Sequence, residues 1–188
     1  MKCLYNGNLI LKDQVYKGKA ILFDERIQDI VDEKEINTMA NLEKINAKGQ
    51  YISPGFIDIH IHGFDGCDTM DGTEEAIKKI SRGIIRNGVT AFLPTTMTMR
   101  RGRISNAFDA VRKVKEKGTN GAEVLGLHME GPFINKKFKG AQAEHHIISP
   151  DFEMVQENQD IITLITLAPE VEGALEFIKQ IKSKTNIV

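Results

Sequence analysis

The chain has 188 residues, 41% of them hydrophobic, and 25 basic against 26 acidic side chains leave a formal net charge of −1. That is apolar material enough for a buried core, and the charge balance gives no electrostatic reason to expect nucleic acid or an anionic membrane as partner. Two cysteines, Cys3 and Cys67, are too few for a disulfide framework, and neither an export signal nor a run near the ~18 apolar residues of a membrane span is present, so the expected setting is cytoplasmic.

Residues 1–50 carry short strand patterns at Lys2–Leu11, Val15–Phe23 and Ile27–Val31, with turn chemistry at Asn6-Gly7-Asn8 and Asp24-Glu25. A further short strand is expected near Glu43–Asn46. This stretch reads as a small β-meander. After Gly49 the rhythm changes to strand then helix, and a second unit is expected over residues 51–188. Tyr51–His60 reads as a strand. Thr73–Asn87 reads as a helix, with Ala76, Ile77, Ile80, Ile84 and Ile85 at helical spacing. Thr73 serves as its N-cap, Glu74 and Glu75 suit its dipole, and Asn87-Gly88 ends it. Val89–Thr95 is the next strand, Arg101–Lys117 the next helix, and Glu123–Glu130 the third strand. Pro150–Gln159 predicts a short helix, Ile161–Ala168 a fourth strand and Glu170–Lys182 a fourth helix, and Ile187-Val188 could begin a fifth strand.

Alternating strands and helices predict an α/β fold with a parallel sheet and right-handed crossovers. About four βα units make half of a (β/α)8 TIM-type barrel, which typically takes about 250 residues. Such a half barrel would leave Ile59, Ile61, Leu93, Leu127 and Ile165 short of their usual cover, so exposed apolar surface and self-association are expected.

Two segments carry chemistry. The run from Tyr51 to Gly63 is an apolar strand that ends in His60-Ile61-His62. Residues i and i+2 of a strand share a face, so the two imidazoles point at one place. An imidazole pair held that way suits zinc, iron or nickel; the alternative is two histidines that merely alternate on an edge strand. The run from Val124 to Phe133 is a second apolar strand, with His128 and Glu130 on one face and Gly131-Pro132 ending it. In one parallel sheet both C-terminal ends lie on the same side. His60, His62, His128 and Glu130 are then expected to converge, two histidines and the carboxylate as a metal set and a further histidine, with His128 the candidate, as a supporting neighbour or a substrate contact. The alternative for Glu130 is a carboxylate that caps the following loop. Cys67 follows the histidine pair closely, and packing is its expected role.

Pro54-Gly55-Phe56-Ile57-Asp58-Ile59-His60-Ile61-His62-Gly63 resembles the first-strand signature of the amidohydrolase superfamily. His128-Met129-Glu130-Gly131-Pro132-Phe133, followed by Lys139-Gly140-Ala141-Gln142, resembles one family within it, the N-acetylglucosamine-6-phosphate deacetylases. The loop Gly63–Asp71 and the run Gly88–Thr95 resemble the same family, so the likeness covers nearly the whole chain. It implies hydrolysis of the N-acetyl group of N-acetylglucosamine 6-phosphate to glucosamine 6-phosphate and acetate, a step of amino-sugar catabolism. It implies a divalent transition metal, zinc or iron, as one or two ions, with His60 and His62 on one ion and Glu130 ligating or bridging to a second. Ala141 and Gln142 match sugar contacts, and some relatives carry histidine where Gln142 stands. His145, His146, Lys136, Lys137 and Lys139 are expected to be solvated.

The resemblance also places further metal histidines and the general-base aspartate beyond Val188. No catalytic base is therefore expected within the chain, which alone should bind metal weakly and show little or no activity. The small β unit is expected to be one half of a β-sandwich, over residues 1–50. The implied partners are the amino-sugar phosphate and, for the intact family, a second copy in a homodimer. A rival reading is a cyclic amidase of the dihydroorotase or hydantoinase type, which uses a modified lysine on the fourth strand; Ile161–Leu167 has none. Another is a non-catalytic fragment that self-associates.

Overall fold

A computed structural model describes residues Met1–Val188, which divide after Pro54 into two units. In the first unit the expected strand Lys2–Leu11 is two strands, β1 (Lys2–Tyr5) and β2 (Asn8–Ile10). Asn6 between them takes φ 54°, a left-handed conformation that asparagine tolerates, and turns the chain. β3 (Val15–Tyr16), β4 (Lys19–Phe23), β5 (Ile27–Asp32), β6 (Glu43–Asn46) and β7 (Tyr51–Ile52) follow. They form two sheets with strand orders β5-β4-β1-β6 and β3-β2-β7. Neighbouring β4 pairs antiparallel with β1 and β5, but β6 joins β1 and β7 joins β2 in parallel. The unit is therefore not the simple meander expected from its turns. Its core is Cys3, Ala20, Leu22 and Ile36, the β4 pair coming from one face by strand alternation.

Pro54 offers no N–H, and the expected strand Tyr51–His60 is split there: Tyr51-Ile52 stays with the first unit, and β8 (Phe56–Ile61) opens the second. A hairpin of β9 (Gly63–Phe64) and β10 (Cys67–Asp68) leads to α1 (Glu74–Ile84). Next come β11 (Val89–Pro94), α2 (Arg101–Lys117), β12 (Glu123–Val124) and β13 (Leu127–Glu130). The chain closes with α3 (Phe152–Gln156), β14 (Ile162–Thr166) and α4 (Ala174–Lys184). β8 pairs with β11, β11 with β12 and β13 with β14, all in parallel. A parallel bridge between Thr95 and His128 joins the two groups. This is the α/β arrangement, with strands adjacent in chain order. Val188 donates to the Thr163 carbonyl at 3.1 Å and accepts from Ile165 N–H at 2.8 Å, the bond pattern of a further parallel neighbour beside β14.

The expected third strand is broken at Leu125-Gly126. A Cβ on Gly126 would lie 2.8 Å from the Ile161 carbonyl oxygen, so only glycine lets the chain pass β14 this closely. Behind the strands, Ile77, Ile80 and Ile84 of α1 and Ile104, Phe108, Val111 and Val114 of α2 pack on Phe92, Val124 and Leu127. The Thr73 hydroxyl caps α1 by accepting from Ala76 N–H at 3.2 Å. Arg112 of α2 forks onto Asp160 at 2.7 and 3.2 Å and donates to Asn158 Oδ1 at 2.9 Å, tying the helix to the turn before β14. That guanidinium holds the Asp160 carboxyl below the usual carboxylate range.

Of the strand side chains expected to lack cover, Leu93 and Leu127 are buried and Ile61 and Ile165 half-buried; Leu127 belongs to the core shared with α1 and α2, and Ile61 and Ile165 pack against it. Ile59 is exposed, and so are Phe56 and Ile57 on the same strand. β8 is an edge with β11 on one side only. No helix is long and apolar enough to cross a membrane.

Candidate metal centre

β8 delivers His60 and, just past its end, His62; β13 ends on Glu130. Because β11 bridges to both, these ends rise on the same side of the sheet. His60 Nε2 lies 3.3 Å from His62 Nε2 and 3.1 Å from Glu130 Oε2, and His62 Nε2 lies 2.9 Å from the same oxygen. The three side chains are 47%, 32% and 20% exposed, in the order His60, His62, Glu130, so the cluster is open to solvent on one side.

The protonation pattern tests whether this cluster fits a cation. His62 Nδ1 sits 3.2 Å from the Thr95 carbonyl oxygen, which can only accept, so Nδ1 carries the ring proton. A neutral His62 then turns a bare lone pair at Nε2 toward Glu130, also an acceptor, and toward His60 Nε2. Acceptors that face one another repel unless a proton or a cation lies between them. A ring N–H given to a backbone carbonyl is also how metal-binding histidines are oriented. Ligands at about 2.0–2.1 Å from an ion stand roughly 2.8–3.4 Å apart for angles from square to tetrahedral. The observed edges of 2.9, 3.1 and 3.3 Å fall in that range. Two imidazoles and a carboxylate suit zinc or iron, so the residues present fit the expected group.

His128 is 2% exposed and stands beside the cluster, its ring edge-on to His60 with centroids 4.8 Å apart. Its Nδ1 donates to the Ile59 carbonyl at 2.8 Å, and its Nε2 accepts from the Thr166 hydroxyl at 2.8 Å. Burial pushes its pKa below the ordinary histidine value, with the Ile59 bond pulling the other way. The pairing of β8 with β11 shifts register between Phe92 and Pro94, where proline has no N–H to donate. The Ile59 carbonyl in that stretch is served by the His128 ring.

The remaining expected residues lie elsewhere. Gln142 is buried, and its Oε1 accepts from Thr98 N–H at 2.6 Å; Ala141 is exposed beside it. Neither hydrogen-bonds to His60, His62 or Glu130. His145 and His146 pack on each other with ring centroids 4.0 Å apart and are not among the three converging donors. Cys67 packs against the hydrophobic core.

Thr95 and Thr166 were not singled out in the sequence. Thr95 is fully buried: its carbonyl orients His62, and its hydroxyl accepts from Ile61 N–H at 3.0 Å and donates to the Leu93 carbonyl at 3.1 Å. The available signal was positional, since each threonine follows or closes an apolar strand at the C-terminal end, level with the histidines.

A family model described as the amidohydrolase family matches residues 51–184. Among curated proteins the chain is similar to N-acetylglucosamine-6-phosphate deacetylase of Bacillus subtilis (strain 168), 41% identical over 141 residues, which covers 71% of this chain and 36% of that protein. It is similar to N-acetylglucosamine-6-phosphate deacetylase of Homo sapiens, 31% identical over 192 residues, which covers 97% of this chain and 45% of that protein. Among solved structures, N-acetylglucosamine-6-phosphate deacetylase from Pasteurella multocida matches with a TM-score of 0.82 at 29% identity, over 95% of this chain and 48% of that one. The chain spans less than half the length of each of these relatives.

Proposed function

The chain belongs to the amidohydrolase family, and on that premise we propose that His60, His62 and Glu130 hold a divalent metal ion, zinc or iron, that serves hydrolysis of the N-acetyl amide of N-acetylglucosamine 6-phosphate. The carrying observation is the convergence of His60 Nε2, His62 Nε2 and Glu130 Oε2, with edges of 2.9–3.3 Å. The substrate is supported by relatives that carry this activity in their names, at up to 41% identity. In this reading β8, β11, β13 and β14 are the opening strands of a (β/α)8-type barrel, residues 51–188 in all, and residues 1–50 supply strands of a β-sandwich.

A divalent ion held there supplies Lewis acidity toward an amide carbonyl and acidifies water. The chain's own residues bind and orient. Thr95 keeps the His62 proton on Nδ1 and leaves Nε2 free as a ligand. Glu130 brings a carboxylate oxygen to the two imidazoles. His128, neutral and buried, walls the site behind His60. Gln142 spends its side-chain oxygen on Thr98, which pins the turn from Lys139 and leaves Ala141 outermost to meet the sugar. No residue within 1–188 is assigned the proton transfer.

The test exchanges residues 1–188 for the matching segment of the Bacillus subtilis relative. The chimera is expected to bind zinc and to release acetate from N-acetylglucosamine 6-phosphate, and Glu130→Gln in it is expected to lose both. A folded, zinc-loaded chimera that releases no acetate would overturn the substrate. Zinc affinity unmoved by Glu130→Gln would overturn the ligand set.

A further inference from the structure

His128 joins two strands that are not neighbours in the sheet. It leaves β13, donates to the Ile59 carbonyl of β8, and accepts from the Thr166 hydroxyl at the end of β14, both at 2.8 Å. We propose that Thr166 is a positioning residue for the metal site: its hydroxyl donates to His128 Nε2, fixes that ring in place, and thereby holds the Nδ1–H bond to the segment of β8 that carries His60. The inference rests on the reading of His60, His62 and Glu130 as metal ligands.

At 2% exposure His128 has almost no access to water, so both ring nitrogens depend on protein partners. The carbonyl on one side accepts only, which assigns the ring proton to Nδ1. Nε2 is then an acceptor, and the Thr166 hydroxyl is the donor beside it. Thr166 is well fixed for this. It pairs with Glu130 across the β13–β14 ladder, and its carbonyl accepts from Gly131 N–H at 3.3 Å.

The other end of the relay is where support is scarce. Ile59 directly precedes His60 on a strand with a partner on one side only. That partner slips register by Pro94, which has no N–H to give. The His128 ring N–H stands in for a backbone donor there. The same ring lies edge-on to His60, at 74° and 4.8 Å between centroids, and so restricts rotation of the His60 ring. Without the Thr166 hydroxyl, Nε2 becomes a buried acceptor with no donor. The ring then gains by turning toward another donor or water, and that turn releases the Ile59 carbonyl, while the proton stays on Nδ1, the ring position that faces an acceptor.

The experiment compares the full chain with Thr166→Val and Thr166→Ser. Zinc affinity is measured by titration, and the His128 Nδ1–H bond by the nitrogen-15 shift and water exchange of that ring N–H. Thr166→Val is expected to weaken zinc binding about 10–100-fold, as loss of a group supporting a ligand does, and to speed exchange of the His128 Nδ1 proton as the ring leaves the Ile59 carbonyl. Thr166→Ser, which keeps the hydroxyl, is expected to preserve both. Should Thr166→Val not fold, Thr166→Ala is read by the same two measurements. Unchanged zinc affinity and an unchanged exchange of the His128 Nδ1 proton in the valine variant overturn the proposal, as does a serine variant that fails like valine. A wild-type chain that binds no zinc overturns the metal reading instead, and exchange of the Nδ1 proton then decides by itself whether Thr166 holds the His128 ring.

Discussion

Asp160 takes both arms of the Arg112 fork, at 2.7 and 3.2 Å, and its carboxyl is held below the usual range by that bond. An unfolded aspartate titrates near about 3.9. A folded value below that contributes stability above pH ~3.9, which is lost as pH falls through the folded value. Both side chains are partly exposed, so solvent screening limits the effect to about 1 kcal/mol or less. Asp160→Asn is therefore expected to lower the melting temperature slightly near pH ~7, and the difference from the parent should vanish once pH drops below the folded value. Thermal unfolding across that range checks both halves. At this scale the sequence shows some things and hides others. That His60, His62 and Glu130 meet was legible, because the period of two along a strand is a local rule and both strand ends are marked. Thr95 orients His62 through a backbone carbonyl, which every residue type possesses. Thr166 acts through a histidine 38 positions away. Nothing in the identity of either threonine announces the task.

The helices are the elements most readable in advance, because a buried stripe such as Ile77, Ile80 and Ile84 repeats at helical spacing whatever lies opposite it. Strand ends are less so. The breaks at Asn6, Pro54 and Gly126 depend on which strand each piece joins, and Gly126 in particular answers to the Ile161 carbonyl of a strand not yet reached. Gly83 in α1 shows the same dependence. Helix propensity favours alanine over glycine by about 1 kcal/mol. Here an added Cβ would run into the Phe64 ring of the β9–β10 hairpin, which lies against this helix. Overpacking of that kind typically costs about 1–3 kcal/mol, so Gly83→Ala is expected to destabilise despite its better propensity. Denaturant midpoints should fall for Gly83→Ala and recover in part when Phe64→Leu is added.

For the whole molecule, Phe56, Ile57 and Ile59 are 67%, 60% and 56% exposed on the open edge of β8. Each large apolar side chain left wet forgoes about 1.5–3 kcal/mol of burial. The chain is therefore expected to self-associate with rising concentration, and Ile57→Lys to weaken that association. Sedimentation velocity decides it; a single monomer species at every concentration, with no binding of a hydrophobic dye, would show the edge to be tolerated. The sheet also has an order in time. Ile61 meets Thr95 34 residues later, and each strand finds its partner soon after it is made. Glu130 follows His60 by 70 residues, which at synthesis rates of about 5–20 residues per second is roughly 4–14 seconds. On a ribosome, β8 and β11 can pair before the carboxylate has been translated. Both imidazoles can then stand in place on the sheet before Glu130 is made, and the carboxylate joins a pair that is already set.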